Sequence, residues 1–213
     1  MQIEEVIGQI TAIDTECAVK AQERFDNLIK PVGSLAKLES MVTRYAAIIG
    51  KYDKNELNYP KKGLLIWGSI EQAVEAEKIM LGKWPVNILA AETGAQAIPL
   101  LVTAADEAEA LAEGAILVKE HVAKDKLEML GLGCLSDNDE MVIDAMAGAI
   151  LQAAALKVPV MLDGAATCRA LVKAMELNPL VKEYCFAGHV SLENGMEQLL
   201  EKVQLSAPLR LNI

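Results

Sequence analysis

The stretch Val158-Pro159-Val160-Met161-Leu162-Asp163-Gly164 decides the fold class of this chain. It is continuously apolar up to Asp163, and segments with helical spacing precede and follow it. A strand that is apolar on both faces is buried on both faces, and parallel sheets covered by helices bury their strands in this way. The stretch therefore predicts an interior strand of a parallel sheet.

The same succession of apolar strand and helix repeats from residue 63 onward. We expect strands at 63–67, 97–103, 127–132, 158–162 and 183–187, and helices at 70–81, 86–93, 106–123, 139–156, 167–175 and 192–203. Strands that alternate with helices form parallel sheets with right-handed crossovers. The predicted fold class is α/β, with a parallel Rossmann-like sheet flanked by helices.

The first fifty residues have helical spacing throughout, apart from a break at residues 30–34. Pro31 disfavours helix at Lys30, and Ser34 is placed to cap the helix that follows. A polar stretch at 51–62 then connects to the first strand. We therefore predict a helical segment at residues 1–60 and an α/β domain at residues 61–213.

The composition excludes several classes of function. The net charge of −10 argues against a nucleic-acid groove, although helix N-termini can still hold a small anion without basic side chains. The longest apolar stretch, residues 145–156, is interrupted by Gln152 and is too short to span a membrane. Glu4 and Glu5 stand where a signal peptide carries positive charge. We expect a cytoplasmic protein.

The cysteines and histidines predict no metal site and no cofactor. The four cysteines, Cys17, Cys134, Cys168 and Cys185, are scattered and form no C-x-x-C pair, and the chain has two histidines. Reduced thiols are the expected state. No histidine lies near Cys134 in the sequence, so we do not expect that thiol to be a nucleophile.

Ligands of parallel α/β sheets bind beyond the carboxyl ends of the strands. That rule directs attention to the loops at 67–69, 131–139, 163–166 and 188–193. In the second of these loops, Gly131 and Gly133 would let the backbone approach a ligand closely, and Ser136 could bind a phosphate. The alternative is ordinary strand-to-helix turn chemistry, which uses the same residues.

The other two loops offer polar groups with similar alternatives. Asp163, followed by Gly164, either contacts a substrate or caps the helix that begins near residue 166. His189 either contacts an anion or makes a structural hydrogen bond. Ser191, with Asn194 or Glu193, either binds a ligand or caps the last helix.

Four segments together resemble the nicotinate-nucleotide:dimethylbenzimidazole phosphoribosyltransferase family of the cobalamin pathway. Residues 28–39, LIKPVGSLAKLE, are similar to the family pattern LxKPxGSLGxLE. Residues 146–164 resemble a Gly- and Ala-rich run that ends in PVxLDG, residues 188–195 resemble SHxSxExG, and residues 89–95 resemble LAAxxGA. These matches occur in the family's order and span most of the chain.

The resemblance implies a small helical domain built from the chain ends beside the α/β domain, and a homodimer. It also implies transfer of phosphoribose from nicotinate mononucleotide to dimethylbenzimidazole or a similar base. On these grounds we assign a phosphate or substrate site to a set of seven residues in the loops at the sheet edge: Gly131, Gly133, Ser136, Asp163, Gly164, His189 and Ser191.

Departures from the family pattern leave the activity open. Gly68-Ser69-Ile70 replaces an Asp-His-Gly loop, and Cys134 stands at a glutamate position. The family's general-base glutamate lies beyond the point that corresponds to residues 209–211. A surviving enzyme would need another base, for which Glu71 and Glu92 are candidates. The alternatives are a non-catalytic binding or partner subunit, in a heteromer with a full-length homologue, and a scaffold with a different substrate.

Overall fold

The computed structural model describes residues 2–53, 55–56, 58–136, 138–193 and 195–210. Nine helices and seven strands occur in these ranges, and short 3-10 helices lie at Ile70–Gln72 and Pro179–Tyr184. In chain order the elements are α1 (Ile3–Ile7), α2 (Thr15–Asp26), α3 (Lys37–Ile49), β1 (Lys62–Ser69), α4 (Ala73–Met80), α5 (Pro85–Glu92), β2 (Ala95–Val102), α6 (Glu107–Asp125), β3 (Met129–Cys134), α7 (Glu140–Ala155), β4 (Val160–Leu162), α8 (Gly164–Leu177), β5 (Cys185–Ala187), β6 (His189–Val190), α9 (Met196–Lys202) and β7 (Leu209–Arg210).

Five strands form one parallel sheet in the order β2-β1-β3-β4-β5. This confirms the predicted α/β fold class. From β1 the chain moves to one side to form β2. It then crosses back over β1 to β3 and continues in that opposite direction to β4 and β5. Right-handed crossovers therefore place α4 and α5 on one face of the sheet and α6, α7 and α8 on the other. The strand order reverses between β1 and β3, which is where ligands bind in sheets of this type.

The helix α7 explains why the strands are apolar on the face of the sheet that it covers. All residues from Val142 to Ala154 are buried, because α7 packs on the sheet, is flanked by α6 and α8 and also contacts α1. A helix that is apolar around its whole circumference belongs in such an interior position. Leu65, Trp67 and Leu130 in the strands are likewise fully buried.

The N-terminal helices pack on the same core as the sheet. Val6 and Ile10 join the main hydrophobic cluster, and α1 contacts α7. Arg44 of α3 donates a hydrogen bond to the carbonyl oxygen of Cys185, and its guanidinium lies 4.1 Å from the ring centre of Phe186. Helix α3 thus covers part of β5, the edge strand. The division into two domains at residue 60 stays a prediction.

Residues 28–36 form a loop that is held by one carboxylate in the first turn of α3. Glu39, which is 4% exposed, accepts hydrogen bonds from Lys30 Nζ at 2.7 Å and from the backbone N–H of Leu35 at 3.1 Å. The hydrogen bond from Lys30 is the main reason that the pKa of Glu39 is lowered. Lys30 and Glu39 of this segment are therefore explained by the hydrogen bond between them, which holds the loop.

The predicted elements differ from the observed ones mainly at their ends. The third strand runs from residue 129 to residue 134, so it includes both glycines that we placed in a loop. The predicted helix at 70–81 begins with a 3-10 turn, and the helix after β4 begins at Gly164 instead of residue 167. The last helix begins at residue 196 instead of 192, and the pairing of β6 with β7 was not predicted. Within the described residues, no helix is both long and apolar enough to cross a membrane.

Candidate functional site

Two loops meet at the carboxyl edge of the sheet, where β4 and β5 end. The two strands pair in parallel with Leu162 opposite Ala187, and the N–H of Gly188 extends the ladder by donating to Leu162 O at 3.1 Å. The chain then continues to Asp163 on one side and His189 on the other. As a result, Nδ1 of His189 lies 3.4 Å from Oδ1 of Asp163. The sheet register therefore brings together two predicted site residues that are far apart in sequence.

The backbone on each side of this pair is fixed by further contacts. Thr167 Oγ1 donates to the carbonyl oxygens of Asp163 and Gly164, at 3.0 Å in each case. His189 belongs to β6, which pairs with β7 opposite Leu209. The side chain of His189 is 13% exposed, whereas that of Asp163 is 64% exposed. The carboxylate faces solvent and the imidazole is packed behind it.

A second acidic residue, Glu193, completes the cluster. Its Oε2 accepts hydrogen bonds from Ser191 Oγ and from the backbone N–H of Ala165, both at 2.7 Å. Glu193 thus satisfies an N–H in the first turn of α8 and places its negative charge at the helix N-terminus, where the helix dipole favours it. A methyl group at Gly164, whose φ is +81°, would lie 3.3 Å from this oxygen.

These contacts decide between the alternatives for the capping residues. Asp163 is the N-cap residue of α8 but makes no capping hydrogen bond through its side chain, so the structure does not support the alternative in which that side chain caps the helix. Glu193, which we considered only as part of a cap for the last helix, satisfies α8 instead. Ser191 donates to Glu193, and Asn194, the other suggested capping partner, lies outside the described residues. In the sequence, the only signal for the hydrogen bond of Ser191 is the acidic residue two positions after it.

The charge of Glu193 acts on the pKa of Asp163, and both carboxylates act on the pKa of the buried Cys168 thiol. Partial desolvation raises the pKa of Asp163, His189 lowers it, and the Glu193 carboxylate raises it further, with a net increase. The thiol of Cys168, in the second turn of α8, is fully buried. Burial, followed by the charges of Glu193 and Asp163, raises its pKa to about 12. Cys168 is therefore a neutral thiol at physiological pH.

Gly131 and Gly133 lie within β3 and not in the loop after it. In the register of the sheet, Gly131 is opposite Leu64 and Gly133 is opposite Ile66 of β1. A methyl group at Gly131 would lie 3.0 Å from Leu64 Cδ1, and one at Gly133 would lie 3.5 Å from Ile66 Cδ1. The absent side chain of Gly131 makes room for Leu64, whereas a methyl group at Gly133 would make an ordinary van der Waals contact.

Ser136 lies just beyond β3, at the same sheet edge as Asp163. Its carbonyl oxygen accepts a hydrogen bond from Sγ of Cys134 at 3.0 Å, and its N–H lies 3.4 Å from the same sulfur. The turn is thus closed around the thiol. Asp137, the next residue of the predicted loop, lies outside the described residues.

The two glutamates considered as replacement bases lie at opposite edges of the sheet. Glu71 is exposed in the 3-10 turn after β1, at the carboxyl edge. Glu92 ends α5 just before β2 begins, so it lies near the other edge. A strand of eight residues is about 26 Å long, which separates Glu92 from the Asp163 cluster.

The described residues contain no cluster of histidine, cysteine or acidic side chains that could hold a metal ion. What the Asp163 cluster offers instead is acid–base chemistry and hydrogen bonding, through two carboxylates, one imidazole and one hydroxyl. Such groups can bind sugar hydroxyls or move a proton.

Comparisons with known proteins agree with the pattern of motifs. A protein-family model described as a phosphoribosyltransferase matches residues 10–68 and 109–213. The chain is 30% identical over 156 residues to a protein of Clostridioides difficile named nicotinate-nucleotide–dimethylbenzimidazole phosphoribosyltransferase. That match covers 67% of this chain but 44% of the relative, so the chain spans less than half of that protein.

Two longer alignments extend the likeness over nearly the whole chain. A protein of the same name from Clostridium perfringens is 24% identical over 314 aligned positions, which cover 99% of this chain and 86% of the relative. The alignment is longer than the 213 residues of the chain, so it contains long gaps. The crystal structure of the Thermus thermophilus protein of that name superimposes with a TM-score of 0.79 at 17% identity, covering 94% of this chain and 89% of the other. The structural match shows a shared fold.

Proposed function

This chain belongs to the nicotinate-nucleotide–dimethylbenzimidazole phosphoribosyltransferase family as a shortened member, and we propose that it binds nicotinate mononucleotide or a related small molecule. The proposed reaction transfers phosphoribose from that nucleotide to dimethylbenzimidazole or a similar base. The product would be a nucleotide for the lower ligand of cobamides.

The observation that carries the proposal is the convergence of residues 163–165 with residues 189–193 at the carboxyl edge of the sheet. Both segments come from motifs that resemble the family. His189 pairs with Asp163, and Glu193 bonds to Ser191 and to the N–H of Ala165 beside them. Carboxylates and an imidazole that are partly open to solvent suit the hydroxyls of a ribose and the N–H of an azole.

The proposed phosphate contacts require a rearrangement near α8. Glu193 already accepts from the N–H of Ala165, and a phosphate of the same charge sign would compete with it. The next helix N-terminus at this edge, that of α7, is satisfied by Asp139, which accepts from the N–H groups of Met141 and Val142. The N-termini of α7 and α8 are thus already satisfied by the chain's own carboxylates. The phosphate contacts that we assigned from the sequence, at Gly131, Gly133, Ser136 and Ser191, stay predictions.

One feature favours the alternative of a non-catalytic partner subunit. At the crevice between β1 and β3, the N–H of Leu135 donates to Trp67 O at 2.7 Å, and Leu135 Cδ1 lies 3.3 Å from the position of a methyl group at Gly68. Gln72 Oε1 closes the turn after β1 by accepting from the N–H and the hydroxyl of Ser69, at 2.8 Å each. The described residues at the ends of β1 and β3 thus contact one another at the point where ligands bind in sheets of this type.

We propose further that the chain works as a homodimer or in a heteromer with a full-length homologue. Apolar side chains on and beside the Glu39-held loop support this, since Ile29, Val32 and Leu38 are all exposed. Exposed apolar clusters of this kind often mark interfaces between proteins. The proposed location is the cytoplasm, where reducing conditions would keep the four cysteines as thiols.

Isothermal calorimetry with nicotinate mononucleotide, and separately with dimethylbenzimidazole, tests the enzyme proposal. We expect micromolar binding of the nucleotide that is weakened in the Asp163→Ala variant, followed by nucleotide product in a chromatographic assay. An absence of heat from both ligands would contradict the proposal.

In that case, light scattering on the chain, alone and mixed with a full-length homologue, tests the partner alternative. A measurement that finds neither a dimer nor a mixed complex would contradict the partner alternative.

A further inference from the structure

An apolar cavity lies between α3 and the strands at one side of the sheet. Its volume is about 260 Å³, and its lining side chains come from α3, from Pro60 and from strands β3, β4 and β5. We propose that this cavity binds one small, uncharged aromatic molecule with the size of two fused rings. The site is separate from the Asp163 cluster and does not depend on the proposed function.

One wall of the cavity is the apolar face of α3. Four side chains of this helix line the cavity at the spacing i, i+3, i+4, i+7, which places them on a single helix face. They are Leu38, Met41, Val42 and Tyr45. Such a face normally packs directly on a core, but here Leu38 is 56% exposed and Val42 is 40% exposed. The sheet therefore covers this face of α3 only in part.

The floor of the cavity is formed by the sheet. Met161 of β4 and Phe186 of β5 are opposite each other in the parallel register, so their side chains lie side by side on one face. Met129, at the start of β3, comes two residues before Gly131, which is the register partner of Met161. Because side chains alternate along a strand, Met129 belongs to the same face and completes the floor.

The lining selects a ligand without charge. The eight side chains that line the cavity consist of hydrocarbon and thioether groups, apart from the hydroxyl of Tyr45. A charged group placed among them would lose its hydration and would meet no group of opposite charge in the lining. A neutral apolar molecule has no such penalty and gains free energy by leaving water.

The same lining favours an aromatic ring of a particular size. Three of the eight lining side chains are methionines, and a thioether is flexible and makes favourable contacts with aromatic rings. The rings of Phe186 and Tyr45 can add edge-to-face contacts. An apolar cavity of about 150 Å³ binds benzene, so a cavity of about 260 Å³ has room for a bicyclic ring system.

The position of the cavity favours a small molecule over a protein segment. The space lies between α3 and the strands, which are elements of the same chain. A specific protein interface buries about 1,200 Å² or more, whereas this space admits about one ring system. A helix or loop of a partner could cover the mouth beside Leu38, but it would not enter the space behind that residue.

The experiment is a titration of the full chain, labelled with ¹³C at its methionine methyl groups, with naphthalene. The matched control ligand is 2-naphthoate, which has the same two rings and a negative charge. In NMR spectra we expect naphthalene to shift the methyl signals of Met41, Met129 and Met161 with a Kd of about 0.1 mM. The signals of the buried Met146 and of the exposed Met80 should not move. The control ligand should shift none of these signals.

A variant that narrows the cavity provides a second measurement. Val42→Trp adds a large side chain to the helix wall at a position that is partly exposed, and it should weaken naphthalene binding by about tenfold or more. Val74→Trp is the matched control, since Val74 is 60% exposed on α4 and lies outside the lining. Circular dichroism establishes that both variants fold, and the titration of the unaltered chain tests the site independently of them.

Each outcome decides for or against the site. Shifts confined to the three lining methionines, and reduced in Val42→Trp, would support it. No shifts, shifts of similar size at all nine methionines, or equal binding of 2-naphthoate would overturn it. Light scattering on the same samples tests a second copy as the occupant. A dimer that Val42→Trp dissociates, together with no shifts from naphthalene, would assign this face to an interface between copies and overturn the proposal.

The titrations contain no nicotinate mononucleotide, so their failure would leave the proposed function standing. Conversely, a chain that binds naphthalene at the lining methionines but neither binds nor converts the nucleotide would lose the proposed function and keep this site.

Discussion

Gly114 of α6 lies against Ala145 of α7 so closely that a methyl group at Gly114 would stand 1.8 Å from the carbonyl oxygen of Ala145. The reciprocal contact is as tight, since a methyl group at Gly148 would lie 1.9 Å from the carbonyl oxygen of Leu111. The two helices therefore cross backbone to backbone, with no side chain between them.

The Gly114→Ala substitution should destabilise the protein by about 3 kcal/mol, because the backbone of α7 must move away and the core around it must repack. Urea unfolding followed by circular dichroism measures this change. The control is Gly8→Ala, where the new methyl group would meet nothing closer than 3.5 Å. Equal stability of Gly114→Ala and the unaltered protein would contradict the observed crossing.

Lys173→Met should destabilise the protein, because it removes the cation that pairs with the buried carboxylate of Asp144. Asp144 of α7 is 3% exposed in its side chain and pairs with Lys173 of α8, which also bonds to Glu140 at 3.0 Å. Burial alone would lower the pKa of Lys173, but the hydrogen bonds to Asp144 and Glu140 raise it.

An uncompensated buried charge costs about 3 kcal/mol. Thermal unfolding of Lys173→Met should show this loss, and the double variant Asp144→Leu with Lys173→Met should recover most of it. A double variant no more stable than Lys173→Met alone would show that the unpaired charge is not the cause.

The Glu39 carboxylate should make stability depend on pH in the acidic range. Its pKa is lowered in the folded protein, first by the hydrogen bond from Lys30 and next by that from the N–H of Leu35. A lowered pKa means that the stabilisation is fully present above the pKa of the unfolded chain and is lost as the pH falls through the folded value.

We therefore expect Glu39→Gln to be less stable than the unaltered protein at neutral pH, with a difference that shrinks toward about pH 3. Urea titrations at both pH values measure it. Exposed Glu77→Gln serves as the control and should show no such trend. A difference that grows on acidification would have the wrong sign for this explanation.

The thiols should differ sharply in reactivity. Burial raises the pKa of Cys168 and of Cys185 to about 12, and burial also raises that of Cys17. At pH 8 a thiol with such a pKa is ionised in only about one molecule in 10⁴. Cys134 is less buried than the other three.

Mass spectrometry after brief treatment with a thiol reagent should therefore find Cys134 modified first, and the other three only in denaturant. Cys134→Ser is the control and should abolish the early label. Rapid labelling of Cys168 in the native protein would contradict the burial of α8.

Glu193→Gln should strengthen the binding of nicotinate mononucleotide severalfold under the proposed function. The substitution removes a negative charge at the N-terminus of α8, where the nucleotide's phosphate would compete for the N–H of Ala165. Calorimetry measures the Kd, and Glu197→Gln on the exposed surface of α9 is the control. Weaker binding by Glu193→Gln would indicate that this carboxylate contacts the nucleotide favourably.

Much of the site could be anticipated from the sequence, but its contacts could not. Asp163, His189 and Ser191 were predicted to lie at the carboxyl edge because each follows an apolar strand. Glu193 was missed as the partner of α8, because its bond to Ala165 joins residues 28 positions apart. Nothing local in either segment indicates that contact.

The sequence by itself determined the α/β class, the succession of strands and helices, and the edge of the sheet at which polar residues gather. These properties follow from hydrophobic periodicity, which is local and records which faces of an element are buried. Periodicity does not record which strand lies beside which. Only the tertiary structure, through the register of β1 with β3 and of β4 with β5, decided that Gly131 makes room for Leu64 and that His189 meets Asp163.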